Sequence, residues 1–305
     1  MKTVTGVKNG KRKNHYQLWL MALPAIIYFL VFCYAPMYGV TIAFKDFNAA
    51  KGIWGSPWVG FKHFKQFFDS YQSVRLIKNT LVISGMSLIF GFPFPIILAM
   101  LLNQTRNLKF RKAVQTITYA PHFISVVVMC SMIILFLSPS SGFINNIIAA
   151  LGGKKINFMA KPELFPAVYI LSGIWQNMGW SAVIYIAALA AVDPSLYEAA
   201  KMDGAGKLQL IRFIDLPSIM PTAVIMLIMN AGSLMNVGFQ KAFLLQNDLN
   251  IAASEIISTY TYKIGLVKAD YSYSAAIGLF NTIVNVILLV SVNKISKKVT
   301  ETSLW

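Results

Sequence analysis

Uncharged polar and aromatic side chains recur inside otherwise apolar stretches of this chain, and their types and spacing suggest a chemistry. Trp175, Gln176, Asn177, Trp180, Ser181 and Tyr185 form one group; Asn230, Ser233, Asn236 and Gln240 form a second; Ser274, Gly278, Asn281 and Asn285 form a third. In the second and third groups the spacing is three or four residues, which predicts one helix face in each. Amides pair with hydroxyl groups as donors and acceptors, and flat Trp and Tyr rings suit apolar C–H faces. A neutral carbohydrate requires that combination, so the groups point to recognition rather than bond-making. Polar atoms in hydrocarbon need partners in any case, so interhelical hydrogen bonding is the competing reading for each residue taken singly. Recurrence along three successive apolar stretches favours a shared path.

Catalysis finds little support. The histidines are His15, His63 and His122, of which His122 alone falls in an apolar stretch, where packing is the simpler role; no metal cluster or Ser-His hydrolase site is suggested. A Gly-x-x-x-x-Gly-Lys-Ser/Thr phosphate loop is absent: after Gly206-Lys207 comes Leu208, and the first glycine position holds Lys201. No apolar stretch carries Lys, Arg, Asp or Glu near its middle, which argues against a proton relay. Cys33 and Cys130 lie in apolar segments and read as buried thiols.

The elements that position these groups are membrane spans. The 305 residues are 56% hydrophobic and 12% charged, too apolar for one soluble core. The net charge of +16 is scattered through connections and builds no nucleic-acid-binding motif. Six spans are predicted, at about 18–44, 76–103, 114–137, 164–191, 219–238 and 274–292. They make residues 17–298 one all-α polytopic membrane domain, with a basic tail at 1–16 and a short tail at 299–305. The first apolar run exceeds a signal-peptide core and lacks a small-x-small cleavage site, so it is expected to be retained, kinked or bounded at Pro24 and Pro36. Gly91, Pro93 and Pro95 should break the second span. Trp54, Trp58, Phe61, Phe64, Phe67 and Phe68 predict a short helix lying at the lipid headgroups.

Between the fourth and fifth spans lies a polar elbow, residues 192–218. Asp193 is placed to cap a helix whose first turn accepts Pro194. Gly204 and Gly206 offer the left-handed backbone that ends it, a second short helix follows from Leu208, and Pro217 opens the next span.

Glu198-Ala199-Ala200, Gly204, and Ile214-x-Leu216-Pro217 in that register resemble the EAA loop of membrane subunits of binding-protein-dependent ABC importers. The resemblance implies that Glu198, Ala199, Ala200, Asp203, Gly204 and Ala205 dock against a cytoplasmic ATPase. Small alanines let another backbone approach, and the carboxylates suit basic partners. Asn79-Thr80-Leu81, Phe90 to Asn103, Tyr119 to Ser125, Asp193 to Pro221, Tyr271 to Phe280 and Ser303-Leu-Trp305 are similar to the oligosaccharide- and polysaccharide-uptake branch, related to maltose permeases.

The family's type I permease fold is implied, with a second homologous permease, two ATPase subunits and an extracellular solute-binding protein that delivers carbohydrate. ATP and magnesium belong to the ATPase, and no cofactor is implied in this chain. The substrate-path residues suggested by the polar groups are Trp175, Gln176, Asn177, Trp180, Tyr185, Asn230, Ser233, Asn236, Gln240, Asn281 and Asn285. Six crossings put both termini on one side, and the basic turn holding Arg106, Lys109, Arg111 and Lys112 makes that side cytoplasmic. A multi-pass plasma-membrane protein follows. A permease for a non-sugar solute, a self-sufficient carrier and a membrane scaffold are the alternatives.

Overall fold

The computed structural model describes residues 16–300 and Ser303. The basic tail expected before Tyr16 and the Leu304-Trp305 end lie outside the described residues. The described part is helical throughout, apart from connections and one isolated bridge, Lys45 to Trp58. Four helices are long and apolar enough to cross a membrane: Trp19–Phe44, Tyr71–Asn103, Lys207–Gly232 and Tyr271–Lys298. Two bent pairs raise the number to six when each counts as one span: Leu108–Phe123 with Val126–Phe136, and Pro162–Ala190 with Pro194–Met202. The all-α polytopic expectation agrees with this architecture.

Local chemistry accounts for the departures from straight spans. The third predicted span is not one rod but turns by 100° between Phe123 and Val126. Pro121 sits in a tight 3-10 turn, and Ser125 then caps the second arm through the Val128 amide. The Pro93 and Pro95 break expected in the second span shrinks to a single residue, Phe92, which keeps helical backbone angles. The first helix passes Pro24 and Pro36 with a wide π segment, Phe29–Tyr34, between them.

Small residues set how closely the helices approach. Ala99, Ala182 and Ala223 are buried where the second, fourth and fifth long helices meet, together with Tyr185, Leu189 and Ile219. At Gly179 a Cβ would run into the Thr118 carbonyl, so glycine is what lets the Phe165–Ala190 helix lie against Leu108–Tyr119. The Lys62–Asp69 helix, expected at the headgroups, is also a packing element. Phe67 is buried beside Tyr273 and Ile277 of the last helix, while Phe61 and Phe68 stay exposed.

The 246–270 connection is pinned inward as well. Buried Glu255 pairs with Arg75 at 2.6 Å and Lys263 at 3.2 Å, and Asn79 donates to the carbonyls of Ala252 and Glu255.

Candidate functional site

The elbow forms as its residues dictate. Asp193 accepts from the Ser195 amide at 2.9 Å, which holds its carboxyl below the usual carboxylate range, and Pro194 opens the helix Pro194–Met202. At the other end Gly204 has φ +80°, the Ala205 amide reaches back to the Ala200 carbonyl and the Gly204 amide to Lys201. This pair of reversed hydrogen bonds closes the helix and spends its last carbonyls. Gly206, expected to share the left-handed backbone, does not: at φ −79° it is extended and starts the next helix, its amide donating to Gln209 Oε1. That helix is also longer than expected. It runs from Lys207 through Pro217 to Gly232, because a π turn at Ile211–Asp215 absorbs the proline.

Glu198, Ala199, Asp203 and Gly204 are exposed on the elbow, with Ala200 and Ala205 half-buried. Large apolar side chains stand out around them: Met202 is 88% exposed and Leu208 81%, with Leu196 and Phe213 also exposed. Apolar surface beside exposed carboxylates is what a partner groove takes up.

A residue that the register alone treats as a spacer anchors this elbow. Asp215 is fully buried and accepts from Tyr197 Oη at 2.7 Å, Asn103 Nδ2 at 3.0 Å and Gln104 Nε2 at 2.7 Å. Three charge-assisted bonds tie the elbow helix, the end of the second long helix and the base of the fifth to one carboxylate. Burial, then the neighbouring carboxylate, push the Tyr197 hydroxyl up to about 12. A lone acid in Ile214-Asp-Leu-Pro217, at the mouth of an apolar run, was the signal available for it.

The second feature is an open cavity of about 750 Å³ lined by the Tyr71–Asn103 helix, the bend after Pro121, the Phe165–Ala190 helix, the end of the Lys207–Gly232 helix and the segment after it. Of the substrate-path residues, Gln176, Asn177, Tyr185, Asn230, Ser233 and Asn236 line it. Trp175, Trp180 and Gln240 do not: all three are exposed, Trp180 lying against the lining residues His122 and Phe123. Asn281 and Asn285 stand behind the wall, donating to Asn236 Oδ1 at 3.0 and 3.2 Å.

The second polar group does not lie on one helix face as expected. Its helix ends at Gly232, Ser233 to Gly238 run as turns and extended chain, and Gln240 falls in a separate helix, Phe239–Leu245. The amides cause this: Asn285 Oδ1 takes the Met235 amide at 2.9 Å, replacing a helical acceptor.

His122, expected to be a packing residue, faces the cavity. Its ring stacks on Trp180 at 4.8 Å with a 3° interplanar angle, and its Nδ1 bonds Asn177 Oδ1 at 3.1 Å. Gln176 donates to the Ile124 carbonyl at the bend, so that amide also holds the wall in place. Ser87 Oγ lines the cavity, buried and without a protein hydrogen-bond partner. Lys241, which the sequence leaves in a connection, is buried in the same wall. The cavity therefore offers amides, hydroxyls, an aromatic platform edge and a cation. The chemistry of this set suits a polar solute.

Among the described residues no group of three or more His, Cys, Asp or Glu could hold a metal ion.

Similarity to known proteins agrees with a transport component. The family model described as binding-protein-dependent transport system inner membrane component matches residues 91–301. The polygalacturonan/rhamnogalacturonan transport system permease protein YteP of Bacillus subtilis (strain 168) is 46% identical over 94% of this chain and 90% of its own length. Protein LplB of the same organism is 41% identical, over 96% of this chain and 92% of its own. A chain in the crystal structure of a bacterial ABC transporter involved in the import of the acidic polysaccharide alginate superposes with a TM-score of 0.87. It has 42% identity and covers 93% of this chain and 96% of its own. A second structure of such an alginate transporter, in complex with an alginate pentasaccharide-bound periplasmic protein, gives 0.88 at 41% identity, covering 95% of this chain and 96% of its own. This chain belongs to the binding-protein-dependent transport system inner membrane component family, as a multi-pass membrane permease.

Proposed function

We propose that this permease is the membrane subunit of an ATP-driven importer of oligosaccharides or polysaccharide fragments, loaded by an extracellular solute-binding protein. The relatives named for polygalacturonan, rhamnogalacturonan and alginate support the carbohydrate class. The amide- and hydroxyl-lined cavity supports it chemically, since Asn177, Asn230, Ser233 and Asn236 supply paired donors and acceptors for sugar hydroxyls. The alginate transporter solved with its periplasmic protein supports a binding-protein partner.

The elbow is the ATPase contact in this reading. Glu198, Ala199, Ala200, Asp203, Gly204 and Ala205 meet a cytoplasmic ATPase, and ATP and magnesium stay on that subunit. Orientation follows the positive-inside distribution, with both termini and the elbow cytoplasmic. Apolar surface on the Trp19–Phe44 helix, where Trp19, Met21 and Phe32 are exposed, is left for lipid and a second permease. ATP and the loaded binding protein shift the pair of permease helix bundles between inward- and outward-open states by binding one state better than the other.

The observation that carries the proposal is the elbow's construction: an exposed, doubly capped helix whose base is locked to two long helices through Asp215. Through Tyr197 and Asp215, force applied at the elbow helix has a hydrogen-bonded route to the two long helices. Gly204→Val and Glu198→Lys, made singly, should abolish co-purification of the ATPase and ATP-driven sugar uptake while membrane insertion persists. Normal ATPase recovery and uptake in both variants would overturn the coupling role.

A further inference from the structure

Lys241 is 8% exposed, lines the cavity, and makes no ion pair among the described residues. Its Nζ donates to the Tyr169 carbonyl at 2.6 Å and lies 4.4 Å from the centre of the Tyr169 ring. Neither contact explains a buried charge. A carbonyl inside a regular helix already accepts from the amide one turn on, so Tyr169 needs no further donor. A lone ammonium away from water is costly. Buried Glu255 is answered by both Arg75 and Lys263; buried Lys45 meets the Ile53 carbonyl and the Trp58 ring, but it does not line this cavity, where Lys241 faces groups that bind solute. An ammonium carries three donors, and the Tyr169 carbonyl uses one.

The wall is also shaped around this group. Gly173, on the facing turn of the Phe165–Ala190 helix, lacks the Cβ that would stand 3.1 Å from Nζ. Asn177 follows one turn later, and Asn236 and Ser233 precede Lys241 on the broken segment, all in the same lining. A cation is thus set among neutral hydroxyl-binding groups.

We infer that Lys241 is an anion subsite in the transport cavity, taking the carboxylate of a uronic-acid ring while the surrounding amides hold its hydroxyls. This rests on the carbohydrate-importer reading and narrows it to acidic oligosaccharides. A carboxylate supplies the one negative charge that one ammonium can answer, and alginate and polygalacturonan, named for relatives, carry that group.

The test uses the complete transporter, with its partner permease, ATPases and binding protein, in proteoliposomes. ATP-driven uptake of a labelled oligogalacturonate is compared with uptake of its methyl ester, which has the same ring and no charge. Lys241→Met should lower uptake of the acid at least tenfold more than uptake of the ester, and Lys241→Arg should restore most acid uptake. Equal effects of Lys241→Met on the two substrates would overturn the subsite.

A second measurement needs no variant. Carbodiimide treatment of the wild-type complex during turnover should join the sugar carboxyl to the Lys241 amine as an amide, found by peptide mass spectrometry with the acid and not with the ester. No adduct at Lys241 counts against the inference even where the variants fail to assemble. Wild-type uptake of neutral oligosaccharides with none of uronates removes this inference and leaves the importer reading standing; uptake of no sugar at all removes both.

Discussion

Tyr197, on the elbow helix, donates its hydroxyl to Asp215 Oδ1 at 2.7 Å, and Asp215 belongs to the foot of the helix whose other end carries Met226 and Asn230 to the cavity. The same carboxylate takes Asn103 and Gln104 from the end of the second long helix. Elbow and span are therefore joined through one buried charge rather than through chain connectivity alone.

Tyr197→Phe should cost roughly 1.5–3 kcal/mol of local stability, the usual worth of a hydrogen bond to a charged acceptor. Asp215→Leu should be milder than Asp215→Ala, because Leu fills the space. Both take the acceptor from the Gln104 amide and leave Asn103 only the Tyr197 hydroxyl at 3.1 Å, and both should uncouple ATP hydrolysis from uptake. Thermal unfolding in detergent and the ratio of solute moved to ATP consumed check this. Unchanged coupling in all three variants would show the clamp to be idle.

The same pair sets a pH dependence. The Tyr197 pKa in the folded protein is raised to about 12, so its stabilising contribution is complete below the ordinary tyrosine value near 10 and is lost as pH rises through 12. Comparing wild type with Tyr197→Phe isolates it from other tyrosines. The stability difference between the two should shrink between pH 10 and pH 12, read as melting temperature against pH.

Gly204 holds φ +80° with no atom near the position of a Cβ, so its requirement is conformational and not spatial. Gly204→Asn should be the mildest change, Gly204→Ala should cost about 1 kcal/mol, and Gly204→Val more. Sugar uptake by the assembled transporter should fall in that order. A ranking by side-chain size alone, with Ala better than Asn, would place the demand in the partner's groove instead.

Gly179 poses the opposite demand. A Cβ there meets the Thr118 backbone, which cannot swing aside as a side chain could. Gly179→Ala should cost about 1–3 kcal/mol by overpacking and loosen the bend that carries His122. Lower melting temperature and faster proteolysis near residues 118–126 are the expected readouts.

Asn285 replaces a missing helical partner by accepting the Met235 amide, and it donates to Asn236. Asn285→Leu should leave that amide unpaired at a cost of about 1–3 kcal/mol and collapse the segment that brings Lys241 to the wall. Uptake should fall although Asn285 itself does not line the cavity.

Much of this molecule could be read from its residues. Long apolar runs have no stable state in water, so helices able to cross a membrane follow from composition. Asp193, Pro194 and Gly204 act within a few residues of themselves, so the elbow's helix and its ends were legible from local stereochemistry. Other features depend on residues distant in the chain. Asn230, Ser233, Asn236 and Gln240 have helical spacing, yet Asn285, about fifty positions away, offers a competing acceptor and opens the helix between them. Gly206 looks like Gly204 until Gln209 claims its amide. Asp215 and Lys241 are two ordinary charged residues in the sequence, and only the packed helices make one a three-bonded anchor and the other a solitary cation in a cavity wall. Sequence determines what each segment can do alone; burial and partners contributed by distant segments decide what a polar group in this membrane protein does.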